Sequence, residues 1–191
     1  MFTGIIQSIG TVESLQNDIL KIRTVNNKFF NLEFGTSIAI DGCCLTLKDY
    51  EQDLLCFQVS DETLSRTSLK DSHCGYVNME LPLTMDSFLS GHLVQGHVDE
   101  VINLKTIEKL ESELWNFTFS NASNKYLVDK GSITINGISL TVVEPDEDTF
   151  TVAIIEETFN RTNLKNLSVD DRVNVEYDIV IKYLEKLNYD N

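Results

Sequence analysis

The chain has 191 residues, 42% of them hydrophobic and 24% charged, with 30 acids against 15 bases and a net charge of −15. Nucleic-acid binders need a basic footprint, so this balance excludes that role and argues against an anionic membrane surface. No apolar run approaches transmembrane length, the amino terminus shows neither a basic n-region nor an h-region, and the four cysteines (Cys43, Cys44, Cys56, Cys74) form no C-x-x-C pattern, so the expected setting is a reducing cytoplasm with no zinc.

Taken in order, the chain reads mostly as strand. Short apolar runs rich in Ile, Val, Thr, Phe and Tyr cover residues 5–12, 19–25, 38–40, 43–47, 54–59 and 76–81. A second set covers 93–104, 114–119, 132–135, 138–143, 150–155 and 173–177. Runs of this length and composition are strand signals, and about six per half suggest a small antiparallel barrel. Asp41-Gly42 and Asn136-Gly137 each separate two apolar runs. Both dipeptides supply positive φ cheaply and mark hairpins.

The halves repeat one another. Ile38-Ala39-Ile40-Asp41-Gly42-Cys43-Cys44-Leu45-Thr46-Leu47 returns as Ile133-Thr134-Ile135-Asn136-Gly137-Ile138-Ser139-Leu140-Thr141-Val142, five of ten identical at an offset of 95. Glu62-Thr63-Leu64-Ser65-Arg66-Thr67-Ser68-Leu69-Lys70 returns as Glu157-Thr158-Phe159-Asn160-Arg161-Thr162-Asn163-Leu164-Lys165, six of nine identical at the same offset. Val77-Asn78-Met79-Glu80 matches Val173-Asn174-Val175-Glu176 at offset 96. A constant offset over three blocks implies two copies of one domain, able to hold two similar ligands. The expected divisions are residues 1–87, 88–177 and a separate tail, 178–191.

In that tail, Val180, Tyr183, Leu184 and Leu187 recur at i, i+3, i+4 and i+7, one apolar face of a helix over 179–187 with Asp178 as N-cap. The first copy has no counterpart. Such a helix either packs on its own barrel or joins chains.

Side chains alternate along a strand. Cys43, Leu45 and Leu47 share a face, as do Ile138, Leu140 and Val142, and that face fills a barrel. Cys44 and Thr46, and likewise Ser139 and Thr141, share the other face beside the turn. These groups can hydrogen-bond a polar ring or a polyol, or simply suit a solvated strand face. Of the histidines His73, His92 and His97, the last two stand five residues apart. On a strand their rings would point to opposite faces, which argues against a shared metal. Histidine remains the best proton-transfer group here. Glu62 and Glu157 are either exposed helical-turn acids or partners for a hydroxylated chain. Lys130 reads as a surface lysine. The chain carries no P-loop and no G-x-G-x-x-G fingerprint.

These residues jointly resemble riboflavin synthase, the family of two tandem lumazine-binding domains. The resemblance rests on Met1-Phe2-Thr3-Gly4-Ile5, Gly42-Cys43-Cys44-Leu45-Thr46, Gly91-His92-Leu93 with Gly96-His97, Gly137-Ile138-Ser139-Leu140-Thr141-Val142, and Glu157-Thr158 with Arg161-Thr162. It implies two six-stranded Greek-key barrels and a homotrimer held by the terminal helix. It implies the dismutation of two 6,7-dimethyl-8-ribityllumazine molecules into riboflavin and 5-amino-6-ribitylaminouracil by four-carbon transfer, without metal or redox cofactor. The site would lie between the first barrel of one chain and the second barrel of a neighbour, and association with lumazine synthase is a further expectation.

By motif, one substrate would contact Gly4, Ile5, Ile6, Cys44, Leu45, Thr46 and, in the stretch 58–63, Gln58, Asp61, Glu62 and Thr63. The other would contact Gly96, His97, Val98, Lys130, Ser139, Leu140, Thr141 and, in 153–158, Ala153, Glu156, Glu157 and Thr158. The nucleophile would be Ser139, Cys44 or a water they orient, with Thr141 beside them and His97 as base. Two positions depart from the family pattern: Asn136 replaces the usual Asp of the second copy, and Ser90 replaces a Gly. If that carboxylate moves protons, its absence weakens the catalytic reading or passes the work to Asp178. The alternative is a non-catalytic lumazine- or flavin-binding antenna protein of the same fold.

Overall fold

The computed structural model describes residues 1–71, 75–121 and 123–189; His73 and Cys74 lie outside them. The chain forms two closed antiparallel barrels of six strands each. The first comprises β1 (Ser8–Gln16), β2 (Ile19–Arg23), β3 (Ser37–Ile40), β4 (Cys43–Glu51), β5 (Leu54–Gln58) and β6 (Tyr76–Glu80), arranged β1-β2-β5-β4-β3-β6. The second comprises β7 (Glu100–Lys109), β8 (Trp115–Ser120), β9 (Ser132–Ile135), β10 (Ile138–Val143), β11 (Thr149–Ile154) and β12 (Arg172–Tyr177), arranged β10-β11-β8-β7-β12-β9. Closure leaves neither sheet with a free edge.

The alternation read from the sequence sets what lies inside. Leu45 and Leu47 join Leu20, Ile22, Leu55 and Phe57 in one core, and Leu140 and Val142 join Phe117, Phe119, Phe150 and Val152 in the other. Each Glu-Thr-x-x-Arg block forms a short helix after a strand, α1 (Asp61–Arg66) and α2 (Glu156–Arg161). Leu64 of α1 is buried in the first barrel, and Phe159 of α2 stacks on Trp115 of the second at 4.1 Å between ring centroids.

Both hairpins form as expected. Asp41, Gly42, Asn136 and Gly137 all have positive φ, as a type I′ turn requires. The two turns meet back to back at the junction between barrels: a Cβ on Gly42 would sit 2.7 Å from Gly137 N, and one on Gly137 as close to Gly42 N. Buried amides knit this junction. Asn78 Nδ2 donates to the Asn136 carbonyl (2.9 Å) and to Asn163 Oδ1 (2.8 Å), and Asn174 Nδ2 donates to the Asp41 carbonyl (2.9 Å).

The first strand of each half starts later than the apolar runs suggest, at Ser8 rather than Ile5 and at Glu100 rather than Leu93. The residues before them form two extended arms. The arms pair with each other through one antiparallel bridge, Phe2 N–H to Val94 O (2.7 Å) and Val94 N–H to Phe2 O (3.1 Å). Each arm then runs across the opposite barrel. His92 and His97 lie on the second arm, not on a strand, so the expectation of opposed rings on a strand fails.

The terminal helix α3 (Ile179–Tyr189) is present. Val180, Tyr183 and Leu184 stay 53–65% exposed, so this stripe faces largely away from the chain's own barrels. Lys182, on the inward side, pairs with Asp99 at 2.8 Å.

Candidate functional site

Beside the hairpin of each barrel lies a cavity walled by that barrel's own β-strand and short helix and by the arm from the other half. The first, about 340 Å³, is lined by Cys44 of β4, Glu62, Thr63 and Arg66 of α1, and Gly96, His97, Val98 and Asp99 of the second arm. The second, about 130 Å³, is lined by Ile138 and Ser139 of β10, Glu157, Thr158 and Arg161 of α2, and Gly4, Ile5 and Ile6 of the first arm.

Two matched hydrogen bonds seat the arms. Cys44 N–H donates to the Gly96 carbonyl and Ser139 N–H to the Gly4 carbonyl, both at 2.8 Å. The approach is so close that a Cβ on Gly96 would fall 2.6 Å from Cys44 Cβ, and one on Gly4 at the same distance from Ser139 Cβ. Both glycines also have positive φ, so a side chain there is strained twice over.

This geometry crosses the grouping drawn from the motifs. Gly4, Ile5 and Ile6 stand with Ser139, Glu157 and Thr158 rather than with Cys44, and Gly96, His97 and Val98 stand with Cys44, Glu62 and Thr63 rather than with Ser139. His97 is therefore not beside Ser139. The imidazole beside Ser139 is His92, whose Nδ1 is 2.7 Å from Ser139 Oγ and whose Nε2 is 3.0 Å from Thr134 Oγ1. Burial lowers the His92 pKa from its ordinary value, and the charge of Asp178 partly opposes that. At neutral pH the ring is therefore uncharged, able to accept a proton. Asp178 also caps α3, its Oδ1 accepting from Val180 N–H at 2.9 Å.

Other expected contacts divide by burial. The Leu45 and Leu140 side chains fill the barrel cores at 4% and 9% exposure, which leaves only their main-chain atoms for a ligand. Thr46, Gln58, Asp61, Lys130, Thr141, Ala153 and Glu156 are exposed and do not line either cavity. Cys43 borders the first cavity from within the core, where burial pushes its thiol up to about 12, an unreactive group beside the more exposed Cys44.

Asn136 has no part in either cavity. It is 2% exposed at the junction, its Oδ1 accepting from Asn174 N–H at 2.8 Å. Asp41, its counterpart, accepts from Asn78 N–H at 2.7 Å. The Asp-for-Asn exchange between copies thus changes the barrel junction and removes no proton-transfer group from a cavity.

Sequence reading missed Arg66 and Arg161 as cavity residues. Arg161 pairs with Glu157 at 2.9 Å and Arg66 with Glu62 at 3.7 Å. Their recurrence in the repeated block was the available signal.

A family model of the lumazine binding domain matches residues 3–82 and again residues 95–178. The chain belongs to the lumazine-binding-domain family and carries that domain twice. Relatives that it resembles along nearly its whole length include riboflavin synthases. It is 39% identical to that of Chlamydia pneumoniae over 187 residues, 95% of this chain and 92% of the relative. It is 36% identical to that of Actinobacillus pleuropneumoniae over 191 residues, 97% of this chain and 89% of the relative. Among solved structures, LumP complexed with 6,7-dimethyl-8-(1'-D-ribityl) lumazine matches with a TM-score of 0.80 at 25% identity, over 92% of this chain and 98% of that one. LumP complexed with riboflavin matches in fold with a TM-score of 0.82 at 24% identity, over 93% of this chain and 99% of that one.

Proposed function

We infer that the chain acts as a riboflavin synthase, converting two molecules of 6,7-dimethyl-8-ribityllumazine into riboflavin and 5-amino-6-ribitylaminouracil by transfer of a four-carbon unit. The observation that carries this beyond similarity is the pair of matched but unequal cavities. A reaction that consumes two copies of one substrate needs two similar seats, and it needs them to differ so that one molecule gives and the other receives. One cavity offers Cys44 and His97; the other offers Ser139 with His92 behind it and Ile5 opposite.

Position in the cavities supports the following roles. Ser139 Oγ is a nucleophile within hydrogen-bond reach of a neutral imidazole, which Thr134 orients on its other side. Ser139 adds to the donor ring while His92 takes its proton. In the other cavity, His97 removes a proton from the acceptor's methyl group. Glu62 and Glu157 take ribityl hydroxyls, with Thr63 and Thr158 beside them. Much of the acceleration comes from holding two rings in reactive register.

We propose further that the working form is a cytoplasmic homotrimer, in which the cavity of the first barrel of one chain faces that of the second barrel of its neighbour. Its support is the exposed apolar stripe of α3. Mixing the purified chain with the lumazine and following riboflavin absorbance tests the activity directly. Riboflavin formation in the expected ratio of one per two lumazines supports the synthase. Tight binding without turnover selects the antenna-type alternative, which the likeness to LumP keeps in view.

A further inference from the structure

Glu80 and Glu176 take no part in the chemistry described above, yet they are among the most deeply buried acids of the chain, at 2% exposure each. They close the repeated Val-Asn-x-Glu blocks, at the ends of β6 and β12. Neither has a basic side chain within salt-bridge range among the described residues. Each spends its carboxylate on main-chain N–H groups instead. Glu176 accepts from Gln95 N–H (2.6 Å), Gly96 N–H (2.8 Å) and His97 N–H (2.9 Å). Glu80 accepts from Thr3 N–H (2.7 Å), Gly4 N–H (3.0 Å) and the Thr3 hydroxyl (2.7 Å).

Three successive amides converging on one carboxylate form an anion nest, here filled by the protein's own side chain. Such charge-assisted bonds are short and directional, and they offset part of the cost of burying the charge, which still holds both carboxyls above their ordinary value. What they hold is an arm that belongs to no strand. Glu176 stands on the second barrel, but the arm it grips walls the cavity of the first, because the Gly96 carbonyl takes the N–H of Cys44. Glu80 stands on the first barrel, and its arm walls the cavity of the second, because the Gly4 carbonyl takes the N–H of Ser139.

We propose that Glu80 and Glu176 are crossed positioning residues, each rooted in one barrel and setting the wall of the cavity on the other. The two arms deliver different side chains, so the clamps also set the difference between the cavities. Glu176 brings His97 to Cys44, and Glu80 brings Ile5 to Ser139. The meaning of this for catalysis rests on the synthase reading; the crossing itself does not.

The test separates the two. Glu176→Gln and Glu80→Gln keep side-chain volume but turn an NH2 donor toward amide donors. The full-length parent and both variants are alkylated with iodoacetamide without ligand, and the rate at Cys44 is followed by peptide mass spectrometry. Glu176→Gln is expected to speed Cys44 alkylation at least tenfold, since the arm over that thiol is released from the far barrel, while Glu80→Gln, which loosens only the arm bridged to it at Phe2–Val94, speeds it less than threefold. Equal acceleration in both variants, or none in Glu176→Gln, overturns the proposal. Should Glu176→Gln not fold, amide exchange in the unmodified chain decides. Gly96 and His97 amides protected like those of β12 support the clamp, and solvent-like exchange overturns it. With lumazine, each variant is expected to lose turnover at least tenfold. A parent that shows the alkylation pattern but makes no riboflavin overturns the synthase reading and leaves the crossed clamps standing.

Discussion

In the proposed reaction, the contact between Ser139 and His92 carries the nucleophilic step. Replacing Ser139 by Ala should lower riboflavin formation by about 100-fold or more, as loss of a nucleophile or of positioned proton transfer does. His92→Gln should do likewise while ligand binding, read by riboflavin fluorescence quenching, changes less than tenfold. His97→Gln, in the other cavity, should give a distinct defect that Ser139→Ala does not mask; identical kinetics for all three would contradict the division of roles. Asp41 matters differently. Burial lifts its carboxyl from the ordinary 3.8 to about 8, against the pull of the Asn78 amide and Asn163. The folded chain therefore keeps a proton that the unfolded chain releases. The stability this confers is complete below about pH 4 and is lost as pH rises toward about 8. Asp41→Asn copies what the second half already has at Asn136. Thermal melts should show it more stable than the parent above pH 8, by roughly 5 °C, with the gap closing below pH 5.

At the scale of elements, the hairpin turns do more than reverse the chain. Their glycines touch across the junction, and each has a φ near +77° in a place with no room for a Cβ, at +76° and +78°. Gly137→Ala should cost ~2 kcal/mol or more through both strain and overlap, measurable as a lowered urea midpoint. The strands and turns were legible because their signals are local: alternation of apolar residues, Asp-Gly and Asn-Gly between runs, and a helical period after Asp178. The arms were not. Residues 5–7 and 93–99 look like strand because Ile5, Ile6, Leu93, Val94 and Val98 extend the apolar runs, but no sheet neighbour is left for them once β1 pairs β6 and β7 pairs β12. They instead pair with each other at Phe2–Val94 and wall the two cavities, with Ile5 and Ile6 on one and Gly96, His97, Val98 and Asp99 on the other.

For the molecule as a whole, the exposed stripe of α3 and the pinned Lys182 point in different directions. One face holds the helix to its own chain and the other is open to a neighbour. Deleting the helix would remove the Lys182–Asp99 pair as well as the stripe, and Asp99 lines the first cavity. Val180→Glu with Leu184→Glu keeps that pair and is the cleaner test. Sedimentation should then report monomers in place of trimers, with riboflavin formation lost along with assembly. Unchanged sedimentation would remove the trimer from the proposal.

The repeat told, from residues alone, that there are two barrels and two similar seats, because hydrophobic alternation and turn residues act over a few neighbours and recur at a constant offset. Folding settled which arm serves which seat. That choice rests on contacts between residues far apart in the chain: Phe2 with Val94, Thr3 and Gly4 with Glu80, Gln95 to His97 with Glu176. In one dimension each arm belongs to the barrel that follows it. In three it completes the other, since the buried carboxylates hold the arms where the amides of Cys44 and Ser139 can reach them.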